Sequence, residues 1–198
     1  KKRYILNAWD IEGVRFAEPK LKIMGIEAVK SSTPAPCRQM IKEALRIIMS
    51  GTEDNVIDYI ADMRKKFNQM EASLIAFPRS CNNVDKYHSN FSIYSKGTPI
   101  HVRGALLHNH YVKKNVLESK YSYINNGDKI KFCYLSKPNP IRENVISFMG
   151  ELPTELGLNQ YIDYTLMFDK SFVEPLKAVL DAIGWSVERH ATLESFFT

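Results

Sequence analysis

The chain has 198 residues, a formal net charge of +5 and a hydrophobic content of 44%, which argues against wholesale disorder and fibrous repeats. No apolar run approaches the roughly 18 residues of a membrane span, and three widely spaced cysteines predict reduced thiols instead of a zinc cluster. The chain begins at Lys1 without an initiator Met and enters a strand pattern at once, so we expect a piece of a longer protein.

The first predicted element is a β-hairpin over residues 4–24. Side chains alternate in character along its first strand, and Glu12-Gly13 offers a turn between the two strands. We expect Pro19 to end the second strand. If the stretch beyond it is extended, Lys20 and Lys22 point the same way.

Two helices are predicted over residues 31–70. Thr33 precedes Pro34 as an N-cap, Gly51 ends the first helix, and Thr52 caps the second. The second helix carries an apolar stripe at helical spacing, formed by Val56, Ile60, Met63, Phe67 and Met70.

The rest of the chain alternates short strands, a long loop and helices. The predicted elements are a strand over 74–77, a polar loop over 78–100, a helix over 101–117, two strands around the turn 125–128, a strand over 144–148, and a helix from Asn159 to Gly184 with a kink at Pro175. Together they predict an α+β fold in which helices dominate. The expected boundary between the hairpin and the helical body lies near residues 25–33.

Motifs of common active sites are absent from the sequence. Neither a phosphate-binding glycine loop nor a Gly-x-Ser-x-Gly elbow occurs. His101, His108 and His110 cluster, but on a helix positions 108 and 110 point about 200° apart, which disfavours a shared metal. The string around Asp163 lacks the second carboxylate that a two-metal site needs, so we interpret it as unrelated to catalysis.

Basic residues recur at positions suited to phosphate contacts. Lys1, Lys2 and Arg3 are consecutive cations on the first strand, with Tyr4 next to them, so alternate side chains can face a groove and a phosphate. The long polar loop adds asparagines and Lys86. For any single lysine, a solubilising role on the surface is the alternative interpretation.

The C-terminal tail ends in two aromatic residues. Leu193, Phe196 and Phe197 have the spacing of the box that binds sliding clamps, with His190 in place of the usual Gln. A short helical turn would put the three apolar side chains on one side, as plugs for a hydrophobic pocket. Either they bind a partner in this way or they pack back onto their own domain.

Several strings of the sequence resemble one polymerase family. The segment KKRYILNAWDIEGVRFAEPKLKIMG resembles the end of the palm domain in family B replicative DNA polymerases of T-even-type phages. Later landmarks that resemble the thumb domain of that family are Asn82-Asn83, Lys86-Tyr87, His101-Val102-Arg103-Gly104, Asp163-Tyr164-Thr165, Phe172 and Pro175-Leu176. The resemblance runs along the whole chain.

The resemblance implies a division of the chain and a function for each part. Residues 1–28 would be the end of the palm, residues 29–185 the thumb, and residues 186–198 a clamp-binding tail. A chain of this kind grips primer-template duplex DNA and tethers the polymerase to a sliding clamp. Its implied partners are therefore duplex DNA, the clamp, and the rest of the polymerase, namely the exonuclease, palm and fingers.

The resemblance also assigns residues to these tasks. Lys1, Lys2, Arg3 and Tyr4 match a motif that lies in the minor groove near the primer terminus, where acceptors occupy similar places in every correct base pair. The residues that we expect to contact DNA are Lys1, Lys2, Arg3, Tyr4, Lys20, Lys22, Asn83, Lys86, Arg103 and Lys170. Glu174 departs from the family pattern, which leads us to expect a basic residue there.

Catalysis is expected to reside outside this chain. The catalytic carboxylates of the family should precede residue 1, so we expect no catalytic residue, metal or cofactor site here, and Mg²⁺ and dNTPs would bind in the missing palm. The chain alone would then not polymerise DNA. The implied location is the cytoplasm of an infected bacterial host.

Two alternatives remain open at the level of the sequence. One is a free-standing duplex-DNA-binding or clamp-adaptor protein with a thumb-like fold and no catalytic partner. The other is an unrelated hydrolase with a histidine-based site.

Overall fold

The computed structural model describes residues 4–89 and 91–189 and has the predicted α+β fold. The described part of the chain forms two compact units. The first is built from residues up to Gln69 and from Phe168 onward, and the second is Met70–Met167. The division into palm end, thumb and tail comes from the resemblance and does not coincide with these two units, so it stays a prediction.

The first unit opens with the predicted hairpin. Strand β1 (Tyr4–Ile11) pairs antiparallel with β2 (Val14–Met24). The turn places Glu12 and Gly13 at φ of 56° and 83°, the left-handed values that a tight two-residue hairpin turn requires. The carboxylate of Asp10 accepts a hydrogen bond of 2.9 Å from the Gly13 N–H, which fixes this turn.

The prediction that Pro19 ends the second strand is wrong, because β2 continues to Met24. Ala8 pairs with Lys20 and Asp10 with Arg15, so residues 16–19 lie opposite Trp9 alone. Such a bulge leaves its residues out of the ladder, and a proline without an N–H is tolerated there.

The two predicted helices follow as α1 (Ala35–Ser50) and α2 (Glu53–Phe67). The cap of α2 is confirmed: Thr52 Oγ1 accepts from the Asn55 N–H, and the Asn55 side chain accepts in return from the Thr52 N–H at 3.0 Å. The cap of α1 is Pro34 instead of Thr33. Pro34 gives no side-chain hydrogen bond to the first turn of α1. The helix therefore begins at a residue whose φ angle is fixed by the proline ring, and not at a polar cap.

The C-terminal helix does not begin at Asn159 as predicted, because residues 159–161 form a separate 3-10 turn and the helix starts at Tyr164. The predicted break in this helix is confirmed. Helix α6 (Tyr164–Phe168) leads into a π-helical turn (Asp169–Val173), which leads into α7 (Glu174–Ile183). Pro175 has no N–H for a regular helical bond to the preceding turn, and the wider turn lies directly before it. Gly184 ends α7 at a φ of 75°.

Aromatic packing forms the core of the first unit. Phe67 from α2 lies edge-on to Phe168, with ring centroids 5.2 Å apart, and Phe168 lies 5.0 Å from Phe172. All three side chains are fully buried. Arg64 covers this cluster, since its guanidinium carbon lies 4.7 Å from the Phe168 ring and its Nη1 lies 3.2 Å from Asp169.

The second unit contains a three-stranded antiparallel sheet with helices around it. Its strands are β3 (Phe77–Ser80), β4 (Lys129–Tyr134) and β5 (Val145–Phe148), in the order β3-β4-β5. Its helices are α3 (Ala72–Ile75), α4 (Val84–Tyr87) and α5 (Ile100–Lys114). The predictions for β4, β5 and α5 are confirmed within one to three residues.

Several local predictions are wrong in this unit. The stretch predicted as a polar loop over residues 78–100 contains the end of β3 and the helix α4. Of the strand predicted over 74–77, Leu74 and Ile75 are the end of α3, and only Phe77 belongs to a strand. The strand predicted directly before the turn at Asn125–Asp128 is not formed in the described residues. The Asn109 side chain accepts a hydrogen bond from the Ile124 N–H and donates one to the Ile124 carbonyl oxygen, both at 2.8 Å. With its backbone groups already paired, Ile124 cannot join a ladder.

Helix α5 covers the sheet of the second unit. Its buried residues include Gly104, Ala105, Leu106 and Leu107, and Gly104 is the position that approaches Ser147 and Ile146 of β5. Across residues 4–89 and 91–189, no helix combines the length and the apolar character needed to cross a membrane.

Candidate nucleic-acid interface

Six of the predicted site residues lie outside the residues that the structure describes. They are Lys1, Lys2 and Arg3 of the expected minor-groove motif, and Leu193, Phe196 and Phe197 of the expected clamp box. Their roles therefore stay predictions from the sequence.

Tyr4 is the first described residue of the expected motif. Its side chain is half-buried at the start of β1 and lines a cavity of about 200 Å³ in the first unit. The cavity is walled by Ile5, Ile26 and one face of α7, including Pro175 and Val179. The start of β1 is therefore set beside an apolar face of α7.

Lys20 and Lys22 lie on the same face of β2, as the alternation of a strand requires. Lys20 is exposed and its Nζ lies 3.9 Å from the centre of the Phe16 ring, while Lys22 is half-buried opposite Leu6. Among the described residues, neither lysine has an ion-pair partner. Both charges are thus available to an external anion.

Sequence reasoning missed a second cation near Lys20. A shallow cleft of about 560 Å³ lies between the hairpin and the end of α1, and Lys20, Asn7 and Arg46 all line it. Arg46 is also paired with Glu43 at 2.7 Å. Glu18 lines the same cleft and adds a carboxylate to it. No local signal reveals that Lys20 and Arg46 share a cleft, because they are 26 positions apart in the sequence.

Lys170 lies in the π-helical turn and is half-buried. Its Nζ is 3.5 Å from Glu174 Oε1, an i,i+4 ion pair. Glu174 therefore partly neutralises the charge of Lys170, the cation of this segment that we expect to contact DNA.

Lys86 belongs to the short helix α4 of the second unit, and Asn83 directly precedes that helix. Asn83 adopts the left-handed conformation, with a φ of 62°. Lys86 is exposed, and its Nζ lies 5.5 Å from the Tyr87 ring centre. The helix is held in place by Asn126, whose side chain accepts from the Val84 N–H at 2.7 Å.

Arg103 differs from the other predicted contacts because its guanidinium has partners within the second unit. Its Nη2 donates to Asn144 Oδ1 at 2.5 Å, and its guanidinium carbon lies 5.6 Å from the Tyr94 ring centre. The Tyr94 hydroxyl donates to Glu143 at 2.6 Å. Burial, followed by this hydrogen bond, raises the pKa of Tyr94, so the phenol stays protonated and continues to donate.

The Asp163 string has a structural role. Asp163 Oδ1 accepts a hydrogen bond of 2.9 Å from the Leu166 N–H, which is the geometry of an N-cap for α6. Within the described ranges, no group of three or more His, Cys, Asp or Glu side chains could hold a metal ion.

Of the three clustered histidines on α5, His108 is buried, His101 is half-buried and His110 is exposed. His108 is 2% exposed, and its Nε2 lies 3.2 Å from the Ser122 carbonyl oxygen. Burial lowers the pKa of His108 below 6.5, and it also lowers the pKa of half-buried His101, beside Arg79.

The three cysteines are free and buried, as the sequence predicts for reduced thiols. Burial raises the pKa of Cys81 to about 11 and that of Cys133 to about 12. Because the thiolate is the nucleophile, thiols with such values are unreactive at neutral pH.

Comparison with known proteins gives two close matches. The chain is 34% identical over 201 residues to the DNA-directed DNA polymerase of Enterobacteria phage T4, and 35% identical over 201 residues to that of Escherichia phage RB69. Each match includes 100% of this chain but only 22% of the polymerase, so the chain spans about a fifth of these relatives. No family model matches it. The resemblance to the polymerases of T-even phages is confirmed.

Proposed function

We propose that this chain, related along its whole length to the DNA-directed DNA polymerases of T-even phages, is the palm-end and thumb portion of a family B DNA polymerase. In that role it grips primer-template duplex DNA and tethers the polymerase to a sliding clamp during replication. The observation that carries the proposal is the identity of 34–35% over the full length of the chain.

Exposed cations support the gripping of duplex DNA. Lys20 and Lys86 are exposed, one in each unit, and neither has a carboxylate partner among the described residues. Phosphate contacts of this kind position a protein on DNA without reading its sequence. A replicative enzyme needs this property, since it must hold every sequence that it copies.

The position of β1 supports a role of residues 1–4 near the primer terminus. Tyr4 continues directly from Lys1, Lys2 and Arg3, and it is anchored beside α7. A lysine donor carried on this strand would test the shape of a base pair through minor-groove acceptors, which are alike in all correct pairs.

Exposed apolar residues on the hairpin support docking to the rest of the polymerase. Trp9 is 60% exposed and Val14 58% exposed, although both lie on a two-stranded sheet that is marginal alone. A larger polymerase would cover them and supply the catalytic carboxylates, Mg²⁺ and dNTPs. The chain alone is then inactive in primer extension.

The tail supplies the tether in this proposal. Leu193, Phe196 and Phe197 would enter a hydrophobic pocket of the clamp, and a tether of this kind raises the local concentration of the partner to roughly millimolar.

Titration of the chain into a fluorescent primer-template, with and without the cognate clamp, tests the proposal. We expect the logarithm of affinity to fall with the logarithm of salt at a slope of about −4 to −5, for four to six neutralised phosphates. Lys20→Gln with Lys22→Gln should weaken binding, whereas Lys65→Gln with Lys66→Gln on the exposed part of α2 should not. A chain lacking residues 190–198 should lose affinity only when the clamp is present. Absence of duplex binding at low salt would overturn the gripping role.

A further inference from the structure

The second unit contains a cleft that the proposed function does not use. It has a volume of about 620 Å³ and lies between α4, α5 and the segment that leads into the turn at Asn125. This volume is within the range of small-molecule sites, about 300 to 1,000 Å³.

The floor of the cleft is apolar. Val84, Leu106 and Ile124 line it, and they are 7%, 4% and 1% exposed as members of the core cluster of this unit. Ile93 packs against the same cluster and is half-buried. A floor of this kind holds the flat, apolar part of a ligand away from water.

One wall of the cleft presents an aromatic ring. Tyr123 is 38% exposed, and its hydroxyl donates to Glu118 at 3.1 Å. The neighbouring backbone is fixed by the double hydrogen bond between Asn109 and Ile124. The ring therefore projects from a fixed segment and offers a stacking surface for an aromatic ligand.

The rim of the cleft is rich in hydrogen-bond donors. Lys113 and His110 lie on the last turns of α5, and His88 follows α4. Lys113 has no ion-pair partner in the described part of the chain. The carboxylate among the described lining residues, Asp85, already accepts from Asn126 at 2.5 Å. An ammonium and two imidazoles thus line the same cleft as this carboxylate, and their N–H groups are donors of the kind that suits a phosphate.

We propose that this cleft binds a nucleoside monophosphate, with the base between Tyr123 and the Leu106–Ile124 floor and the phosphate at Lys113. The same chemistry is presented by a free nucleotide and by an unpaired nucleotide of a nucleic-acid strand. The proposal is separate from duplex gripping, because it concerns one unstacked base rather than a run of backbone phosphates.

Isothermal titration of the full chain tests the site with three probes: adenosine monophosphate, adenosine and ribose 5-phosphate. The nucleotide should bind saturably, and each partial probe should bind at least tenfold more weakly, because each lacks either the stacking or the charge-assisted contacts. Absence of saturable binding of the nucleotide and of a short single-stranded oligonucleotide would overturn the proposal.

Two adjacent lysines of α5 provide a matched pair of variants. Lys113→Gln should weaken nucleotide binding about tenfold or more, as expected for loss of a hydrogen bond to a charged group. Lys114→Gln should leave it unchanged, because Lys114 lies over the Tyr111 ring at 5.6 Å and does not line the cleft. Equal weakening by both variants would indicate unspecific attraction and would overturn the site.

Two further measurements distinguish a free nucleotide from an unpaired nucleotide of a strand, and separate this cleft from the gripping of duplex DNA. A short oligonucleotide that competes with the nucleotide in the parent chain, but not in Lys113→Gln, identifies a strand as the ligand, whereas a nucleotide that no oligonucleotide displaces identifies the free compound. Tyr123→Leu should weaken the nucleotide but not ribose 5-phosphate, and equal loss of both would overturn the stacking role. Neither variant should change duplex affinity by more than about twofold, so failure of this site leaves the duplex result unaffected.

Discussion

Gly104 of α5 lies against Ser147 of β5 so closely that no side chain fits between them. A β-carbon at position 104 would lie 2.4 Å from Ser147 Oγ and 2.8 Å from the Ser147 nitrogen. Ser147 Oγ also donates to the His101 carbonyl oxygen at 2.8 Å. Helix α5 therefore packs on the sheet through backbone contact, which sets the height of the helix above β5.

Gly104→Ala should destabilise the second unit for this reason. The added methyl group meets backbone atoms of a buried strand, and overpacking of this kind costs about 1 to 3 kcal/mol. Urea denaturation followed by circular dichroism measures the free energy of unfolding. Lys114→Ala, at an exposed position of the same helix, should stay within about 0.5 kcal/mol. A variant at position 104 that is as stable as the parent chain would contradict the close contact.

His108 should make the stability of the fold depend on pH below 6.5. Burial lowers the pKa of this imidazole in the folded chain, while the unfolded residue titrates near 6.5. Below that value the unfolded state therefore binds more protons, so the free energy of unfolding falls as the pH falls. His101 and His110 shift in the same direction and add to this slope.

The measurement is the free energy of unfolding between pH 7.5 and 5, compared among three chains. His108→Gln should flatten the slope below pH 6.5, whatever its effect on stability at pH 7.5. His88→Gln, at an exposed position, should keep the slope of the parent chain. An unchanged slope in His108→Gln would show that this imidazole is not the group responsible.

Asp163 should contribute to stability and not to metal binding. Because its carboxylate accepts from the Leu166 N–H, Asp163→Ala removes the N-cap of α6 and should cost about 0.5 to 2 kcal/mol. Asp163→Asn should retain most of this contribution, since asparagine caps helices almost as well. Thermal unfolding with and without Mg²⁺ measures both properties. A Mg²⁺-dependent stabilisation that Asp163→Ala abolishes would contradict the capping role.

The sequence predicts the elements whose signals are local. The β1–β2 hairpin follows from alternation and a Glu12-Gly13 turn, and α2 follows from its Thr52 cap and apolar stripe. The absent strand before Asn125 could not be predicted, because it depends on an asparagine 15 residues earlier in the chain that captures the backbone of Ile124. Similarly, Pro19 is tolerated inside β2 only because the register shifts opposite Trp9.

The candidate interface shows the same limit. Composition and resemblance identify Lys20, Lys86 and Arg103 as cations, but they do not reveal the partners of each cation. Lys20 has Arg46 on the same cleft, and Arg103 is bound to Asn144, 41 residues away. Both surroundings result from tertiary packing, so a list of basic residues cannot distinguish Lys20, which has no ion-pair partner among the described residues, from Arg103, whose guanidinium is already hydrogen-bonded.

Arg103 and Lys86 should therefore respond differently to replacement. Arg103 donates to Asn144 and lies beside Tyr94, so Arg103→Ala leaves a half-buried amide oxygen without its donor and should cost about 1.5 to 3 kcal/mol of stability. Lys86 is exposed, with only the Tyr87 ring near its ammonium, so Lys86→Ala should stay within about 0.5 kcal/mol.

The affinity for duplex DNA should also be measured for the Lys86 and Arg103 variants. If Lys86 contacts a phosphate, Lys86→Ala should reduce the salt slope of binding by about one at unchanged stability. Arg103→Lys keeps the charge but loses the planar fork, so it should restore little of the stability that Arg103→Ala removes. If Arg103→Ala instead left stability unchanged and lowered only duplex affinity, Arg103 would be a DNA contact whose bond to Asn144 adds nothing to the fold. The two variants thus separate a cation that supports the second unit from one that is free to bind DNA.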